Sequence, residues 1–321
     1  MRFVILSVLV NCTLSLFAQF DPAGGEIGSK AVYYESSVIK SWATNTQITR
    51  GWMNLTDTSL GKASSGFETD AKGKANGECV SLGDGGWALI ELDDYLKDNK
   101  GYEFAVFENG FKSGGGYFLE FAHVEVSSDG SHYFRFPSET FLDTINQFTN
   151  PSVIDPTKVN NLAGKHPVFW GTPFDLAALP LSEWLNKDSI KFIKIIDAVG
   201  SLNSLHGSID SKGKKINDPW PTPWPASGFD LDAVALLSPG FTGQDELVFN
   251  SAAIYPNPSR QGAKINIGVE GINQIELLDA LGKTLSVVQN QNSIFAPEQS
   301  GVYQLRIATN QGVFYSKLCV R

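Results

Sequence analysis

The sequence predicts an all-β protein in which a large β-sandwich domain is followed by a small one. Short hydrophobic runs alternate with turn residues, and the 321-residue chain contains 31 Gly and 15 Pro, which favours strands joined by turns. Hydrophobic residues make up 42% of the chain and charged residues 18%, as in proteins with a packed core. Helix bundles and coiled coils are therefore disfavoured.

The charge balance argues against nucleic acid as a partner. The chain has 25 Lys and Arg against 34 Asp and Glu, a formal net charge of −9, so it lacks the excess of cations that neutralises phosphates. The three cysteines, Cys12, Cys79 and Cys319, are widely separated. This spacing disfavours a disulfide framework and excludes metal sites built on CxxC pairs.

Residues 1–18 have the pattern of a signal peptide. Arg2 is followed by an apolar stretch that ends at Ala18, ahead of the polar, Gly-rich residues 21–29. The stretch is shorter than the roughly 20 apolar residues that span a bilayer, so we predict cleavage after Ala18. The alternative, a lipoprotein acylated at Cys12, is disfavoured because the apolar stretch continues beyond that residue. No other segment has the hydrophobicity and length of a membrane span.

Residues 19–238 form the predicted large domain. A β-hairpin is predicted in the middle of this domain. Apolar and polar residues alternate up to Val126, the turn dipeptide Asp129-Gly130 follows, and the aromatic pair Tyr133-Phe134 begins the next strand. Apolar residues three to four positions apart predict short helical turns at 92–99 and 174–184. The predicted strands are 79–82, 87–92, 103–107, 118–126, 133–136, 190–199 and 229–237.

A second, smaller domain is predicted at residues 252–321. The Gly- and Pro-containing residues 239–251 before it form the predicted linker. The small domain has about 70 residues, near the lower size limit for folding alone. Turns are predicted at 280–282 and 310–312, and the predicted strands are 264–269, 274–278, 283–288, 301–308 and 313–320.

The small domain carries four motifs in order. They are Ile254-Tyr255-Pro256-Asn257-Pro258-Ser259, residues 275–283, residues 301–307, and Lys317-Leu318-Cys319-Val320-Arg321. Together they resemble the C-terminal sorting domain of the type IX secretion system of Bacteroidota-type Gram-negative bacteria. The resemblance implies an Ig-like β-sandwich, interaction with the type IX secretion machinery, and a secreted or outer-surface location. The alternative is a β-sandwich appendage used for folding or oligomerisation.

Motifs of the large domain carry a second resemblance. Residues 104–111, 124–130, 161–165, 192–197 and 228–234 resemble a family of secreted bacterial surface proteins of largely unassigned function. The hairpin and the last strand are also similar to galactose-binding-like jelly rolls such as discoidin-type modules, at the level of fold alone. These resemblances imply a jelly-roll-like β-sandwich.

Acidic residues alternate with apolar ones in several predicted strands. Because successive side chains point to opposite faces of a strand, Asp230 and Asp232 should share a face with Val234 and Leu236. Buried carboxylates need a cation or hydrogen-bond donors, and Ca²⁺ takes about six to eight oxygens in irregular geometry. In the alternative, Asp230 and Asp232 accept backbone N–H groups without a metal. The predicted calcium ligands are Glu108, Glu120, Asp197, Asp230 and Asp232.

The Pro-rich loop at residues 220–225 is a candidate ligand-binding segment. It holds Trp220 and Trp224 between prolines, and flat indoles on a stiff loop suit stacking against sugar rings. The alternative is that these indoles cover the edge of the sandwich. The sequence contains no HExxH, GxSxG, P-loop or GxGxxG motif.

These features predict a secreted or surface-displayed binding protein, stabilised by calcium, whose ligand is a glycan or another surface polymer. We expect it not to be an enzyme. One alternative is a calcium-dependent carbohydrate-active hydrolase that uses two of the five predicted calcium ligands, because the carboxylate pair of a glycosidase is defined by spatial separation rather than by a motif. The other is a purely structural adhesion module.

Overall fold

A computed structural model describes residues 20–243, 250–279, 284–285, 289–290, 292–309 and 312–321. The predicted signal peptide lies outside the described residues, and so do residues 244–249 of the predicted linker. The chain forms two compact units, divided between residues 244 and 245.

The large unit is built from strands and short 3₁₀ turns. The 3₁₀ turns are Thr58–Leu60, Glu68–Ala71, Pro156–Lys158, Leu176–Ala178 and Lys187–Ser189. The strands are β1 (Val32–Tyr33), β2 (Ile39–Trp42), β3 (Thr46–Thr49), β4 (Val80–Ser81), β5 (Trp87–Leu96), β6 (Phe104–Glu108), β7 (Phe111–Ser113), β8 (Gly116–Phe118), β9 (Ala122–Ser127), β10 (Phe134–Arg135), β11 (Glu139–Thr140), β12 (Val159–Asn160), β13 (Trp170–Phe174), β14 (Ile190–Asp197) and β15 (Asp230–Leu237).

Two antiparallel sheets form the sandwich of the large unit. The first has the order β1-β13-β6-β15-β2, with β4 also paired to β15, and the second has the order β10-β9-β14-β5-β3. Side chains from both sheets, among them Val106, Phe174, Ile90, Val124 and Ile195, form one buried hydrophobic cluster. The prediction of an all-β sandwich is therefore confirmed.

The predicted hairpin is present, whereas one predicted helical turn is absent. Strands β9 and β10 pair antiparallel with Val126 opposite Phe134, and Gly130 in the turn has a φ of 76°, which glycine adopts at no steric cost. The helical prediction for residues 92–99 is wrong because β5 continues to Leu96, which pairs with Ile190 of β14. In the second predicted segment, Leu176–Ala178 forms a single 3₁₀ turn.

The small unit is also all β. Its strands are β16 (Asn250–Ser251), β17 (Ile254–Tyr255), β18 (Lys264–Ile267), β19 (Ile272–Leu278), β20 (Thr284–Leu285), β21 (Gln289–Asn290), β22 (Ser293–Phe295), β23 (Gly301–Thr309) and β24 (Gly312–Val320). They form the sheets β16-β24-β23-β19-β20 and β17-β18-β22-β21, and Ile265, Leu277 and Leu305 are fully buried between them. The predicted turn at 280–282 lies outside the described residues, as do residues 310–311 of the other.

Candidate functional site

Strand β15 carries the two aspartates that the sequence singled out, but alternation does not continue past them. The pairing of β15 with β6 shifts between Leu231 and Ala233, which is the signature of a β-bulge. Leu231 and Val234 consequently both enter the core between the sheets. The prediction that Asp230 and Asp232 share a face with Val234 and Leu236 is therefore wrong, because the bulge reverses the face of every later residue.

Asp230 belongs to a polar cluster at the end of β6. Its carboxylate accepts hydrogen bonds from the hydroxyl of Ser81 and from Nδ2 of Asn109 at 3.1 Å. Burial raises the pKa of Asp230 to about 6, although these two donors lower it. Glu108, at the end of β6, is buried and accepts a hydrogen bond from the Gly110 N–H at 2.6 Å. Burial, together with the charge of Asp230, holds its pKa well above the ordinary value.

Asp232 caps a loop of the backbone. One carboxylate oxygen accepts the N–H of Asn76 at 3.1 Å, and the other accepts the N–H of Gly77 at 3.0 Å. Burial raises the pKa of Asp232 to about 6 against the effect of these donors. Both oxygens already have backbone partners, which is the arrangement expected of a structural carboxylate.

Four other buried carboxylates line a single small cavity, here called the carboxylate cavity. They are Asp84, Glu120, Asp197 and Asp218. The cavity has a volume of about 10 Å³, which is near the space needed to hold one water molecule. Two of these residues, Glu120 and Asp197, are predicted calcium ligands, and two were missed.

The four carboxylates come from distant parts of the chain. Asp197 is the last residue of β14, Asp84 follows β4, and Asp218 lies in the long connection before β15. Glu120 lies between β8 and β9, so the prediction of one continuous strand over residues 118–126 is wrong at this position. The neighbouring Phe121 N–H donates to Asp218 Oδ2 at 3.0 Å instead of to another strand.

Backbone donors hold three of these carboxylates in place. Asp197 accepts the N–H of Gly85 at 3.0 Å and the N–H of Phe229 at 2.8 Å. Asp84 Oδ2 accepts the N–H of Leu55 at 2.8 Å and the indole N–H of Trp220 at 3.0 Å. The positions of these carboxylates are therefore fixed by donors from other segments of the chain.

Glu120 differs from the other three. It is 6% exposed and lines the cavity, yet its carboxylate takes part in none of the hydrogen bonds or ion pairs found among the described residues. Burial and the negative charges of Asp230, Glu108 and Asp218 hold its pKa well above the ordinary value. Ionisation of a carboxyl group buried to this extent is costly when no donor or counter-charge lies beside it.

The electrostatics of the cavity are uncompensated. Burial, with the charge of Asp84, raises the pKa of Asp197 to about 8, and burial, with the charge of Asp197, raises the pKa of Asp218. Burial also raises the pKa of Asp84. No Lys or Arg forms a salt bridge with any of the four within the described part of the chain. The raised pKa values show that the ionised forms of these four groups are disfavoured in the absence of a counter-charge.

Two glycines let the backbone approach the carboxylates. A Cβ atom on Gly200 would lie 1.6 Å from Asp218 Oδ1, and one on Gly228 would lie 2.7 Å from Asp197 Oδ1. Gly228 also has a φ of 67°, which side-chain-bearing residues rarely adopt. Both positions need glycine so that the carboxylates keep their places.

The two tryptophans of the Pro-rich loop have different surroundings. Trp220 is half-buried, lines the carboxylate cavity and donates to Asp84. Trp224 is 40% exposed, and its backbone N–H donates to the carbonyl of Thr222 at 2.8 Å. The loop therefore joins the cavity to an exposed indole.

A second acidic group lies elsewhere in the large unit. Asp98, Glu103 and Asp175 place one oxygen each within 4.8 Å of one another. Both Glu103 oxygens accept backbone N–H groups, from Asn99 and Leu176, so this group already has donors. The four cavity carboxylates do not come as close together, and a cation there would need backbone carbonyl oxygens or water as additional ligands.

The sequence gives little indication that Asp84 and Asp218 lie at a site. Asp84 lies in Gly83-Asp84-Gly85-Gly86, and Asp218 lies in Asn217-Asp218-Pro219. Acidic residues beside Gly or Pro in loops are common in turns of every kind, and strand alternation does not reach them. Only the fold brings these two segments next to Glu120 and Asp197.

Comparison with known proteins identifies the small unit. Residues 253–321 match the family described as the secretion system C-terminal sorting domain, and a search of curated proteins finds no match to the chain. The predicted sorting domain is therefore confirmed, and the protein is exported by the type IX secretion system to a secreted or cell-surface location. None of the described helices is long and apolar enough to cross a membrane. The resemblance of the large domain to secreted surface proteins stays a prediction.

Proposed function

We propose that the large domain is a non-enzymatic binding domain, exported by the type IX system and stabilised by one calcium ion in the carboxylate cavity. Its ligand is a glycan or another surface polymer. The observation that carries the calcium proposal is Glu120, whose carboxylate has no donor among the described residues and which lines a cavity with three further carboxylates.

Electrostatic cost favours a cation at this site. Carboxylates transferred from water into a protein interior lose several kcal/mol of hydration unless a counter-charge or donors replace the water. Backbone donors serve Asp84, Asp197 and Asp218, whereas none of the described residues donates to the Glu120 carboxylate. A divalent cation would satisfy Glu120 and relieve the mutual repulsion of all four groups.

Calcium suits the geometry better than magnesium does. Ca²⁺ accepts irregular sets of carboxylate, carbonyl and water oxygens, whereas Mg²⁺ requires a nearly ideal octahedron and retains several waters. The small volume of about 10 Å³ suits one ion, and the wide spacing of the cavity carboxylates requires that backbone carbonyl or water oxygens complete its ligands. The backbone segment from Ala198 to Gly200 also lines the cavity.

A bound ion would connect four segments of the large unit. It would hold the loop after β4, the segment before β9, the end of β14 and the connection before β15 in one place. Trp220 is attached to this site through Asp84, and Trp224 extends from the same loop with its indole exposed. Calcium would thereby order a loop that presents an aromatic ring to a ligand.

The cavity supports ion binding rather than glycoside hydrolysis. Glu120 and Asp197 are two carboxylates with raised pKa values in one cavity, as the hydrolase alternative requires. A cavity of about 10 Å³, however, does not admit a sugar ring. The cavity volume therefore favours our proposal of an ion over a substrate between these residues.

Thermal unfolding of the exported chain tests this proposal. Calcium added to EGTA-treated protein should raise the melting temperature, because an ion that binds only the folded state at 100 times its Kd stabilises it by about 2.7 kcal/mol. Glu120→Gln should abolish the rise while leaving the melting temperature in EGTA close to that of the wild type. The control Asp94→Asn changes an exposed acid and should keep the full response.

Two outcomes would overturn the proposal. In the first, calcium leaves the melting temperature of the wild-type protein unchanged at millimolar concentration. In the second, Glu120→Gln responds to calcium as the wild type does, which would place any bound ion outside the carboxylate cavity.

A further inference from the structure

The outer faces of the two sheets in the large unit differ in what covers them. On the first sheet, Ala105, Phe107, Ala233 and Ala235 are fully buried in a second cluster that also contains Trp42. On the second sheet, the residues that face away from the core are mostly half-buried or exposed along β3, β5 and β14. The second sheet therefore presents an accessible face.

This open sheet face carries an ordered row of side chains. Gln47 of β3 is opposite Leu89 of β5, and Leu89 is opposite Lys194 of β14. Lys194 in turn is opposite Glu125 of β9, which is opposite Arg135 of β10. We define the open sheet face by these five residues and the flanking aromatic residues Trp87 and Tyr133.

Lys194 lies between two aromatic rings at the centre of this row. Its Nζ is 4.8 Å from the ring centre of Trp87 and 5.4 Å from that of Tyr133. Arg135 pairs with Glu125 at 2.8 Å, whereas Lys194 forms no salt bridge with any described residue. The ammonium group is held by cation–π contacts alone, which leaves it available to an anion.

This combination of groups has a specific chemistry. Aromatic rings on a flat sheet stack against the apolar faces of sugar rings, while amide and charged side chains form hydrogen bonds to hydroxyl groups. Lys194 forms no salt bridge with any described residue, so its ammonium group can pair with an acidic group on the ligand.

We propose that the open sheet face binds an acidic polysaccharide, with Lys194 contacting its carboxylate or sulfate groups and Trp87 and Tyr133 stacking on its sugar rings. This inference goes beyond the proposed function, because it assigns a binding surface that does not include the loop of Trp220 and Trp224. It does not depend on calcium, because none of these residues lines the carboxylate cavity.

Affinity electrophoresis of the full exported chain tests the inference. The gels contain hyaluronan as the carboxylate polymer, dextran sulfate as the sulfate polymer, or dextran as the neutral control. At least one acidic polymer should retard the protein, and dextran should not. Lys194→Gln should weaken the binding about tenfold, the loss expected for one charge-assisted contact. Lys62→Gln should bind like the wild type, because Lys62 makes a similar contact with Trp52 at 3.8 Å away from this face.

The calcium response separates this inference from the first proposal. Lys194→Gln should keep the calcium-dependent rise in melting temperature, which also shows that the variant folds. Tyr133→Leu is a second variant that removes a ring without changing the charge, and it should weaken binding to the same polymer. The inference is overturned if neither acidic polymer binds, if dextran binds equally well, or if Lys194→Gln binds like the wild type.

Discussion

Individual buried carboxylates of the large unit have very different surroundings. Asp232 accepts two backbone N–H groups, Asp230 accepts from Ser81 and Asn109, and Glu120 accepts from none of the described residues. Strand alternation indicated that such residues would be buried, but it contains no information about the donors that they meet. The hydrogen-bond partners come from segments more than 100 residues away for Asp230 and Asp232, and only the fold supplies them.

Asp232 provides the first prediction. Asp232→Ala should lower the free energy of unfolding by about 1–3 kcal/mol, because the N–H groups of Asn76 and Gly77 would lose their acceptor. Chemical denaturation in EGTA measures this loss. The calcium-dependent rise in melting temperature should persist, since Asp232 caps a loop in our account. A variant that folds normally but no longer responds to calcium would show instead that Asp232 is a ligand.

The strands of the large unit were more predictable than the connections between them. Hydrophobic alternation located β9, β14 and β15, and the turn dipeptide Asp129-Gly130 located the hairpin. The bulge in β15 could not be predicted, because it depends on pairing with β6 across the sheet. Asp84 and Asp218 were missed for a related reason, since each lies in a connection whose course is fixed by contacts with other segments.

Gly200 tests how the connections position the carboxylates. Gly200→Ala would place a Cβ atom 1.6 Å from Asp218 Oδ1, so the carboxylate must move. We expect a weaker calcium response and a loss of more than about 1 kcal/mol of stability. Gly115→Ala is the matched control, because its Cβ would have no atom within 4 Å, and its calcium response should be normal. Normal calcium binding by Gly200→Ala would argue against Asp218 as part of the site.

At the scale of the whole molecule, the concentration of buried acids links stability to pH. A carboxylate whose pKa is raised on folding favours the folded state while it is protonated, and this stability is lost as the pH rises through the raised value. Asp197, with a pKa of about 8, acts in this direction. Burial lowers the pKa values of His123 and His166 to about 3. These two histidines therefore make the free energy of unfolding rise with pH up to about 6.5, and they do not change it at higher pH.

We therefore expect a pH effect of defined sign in a defined window. In EGTA, the free energy of unfolding should fall as the pH rises from about 6.5 to about 8. For one carboxyl group, the fall is at most about 1.4 kcal/mol per pH unit. Saturating calcium should remove this fall, because the ion binds the ionised carboxylates. Urea unfolding at several pH values measures both curves. A constant or rising stability in EGTA across this window would contradict the proposed electrostatics.

The sorting domain makes a separate prediction about export. A chain without residues 252–321 should stay in the periplasm of a host that has the type IX machinery. The reason is that the sorting signal lies in residues 253–321. Fractionation and surface labelling of the truncated chain measure its location. Normal appearance of this chain at the cell surface would mean that the large unit carries its own export signal.

Terbium luminescence tests the central claim, that the carboxylate cavity binds calcium, most directly. Tb³⁺ replaces Ca²⁺ at oxygen-rich sites and emits when a nearby indole is excited, and Trp220 donates to Asp84 at 3.0 Å. We predict sensitised emission that calcium displaces, that Trp220→Phe removes, and that Trp224→Phe retains. Absence of emission, or emission that calcium or Trp220→Phe leaves unchanged, would contradict calcium binding in this cavity.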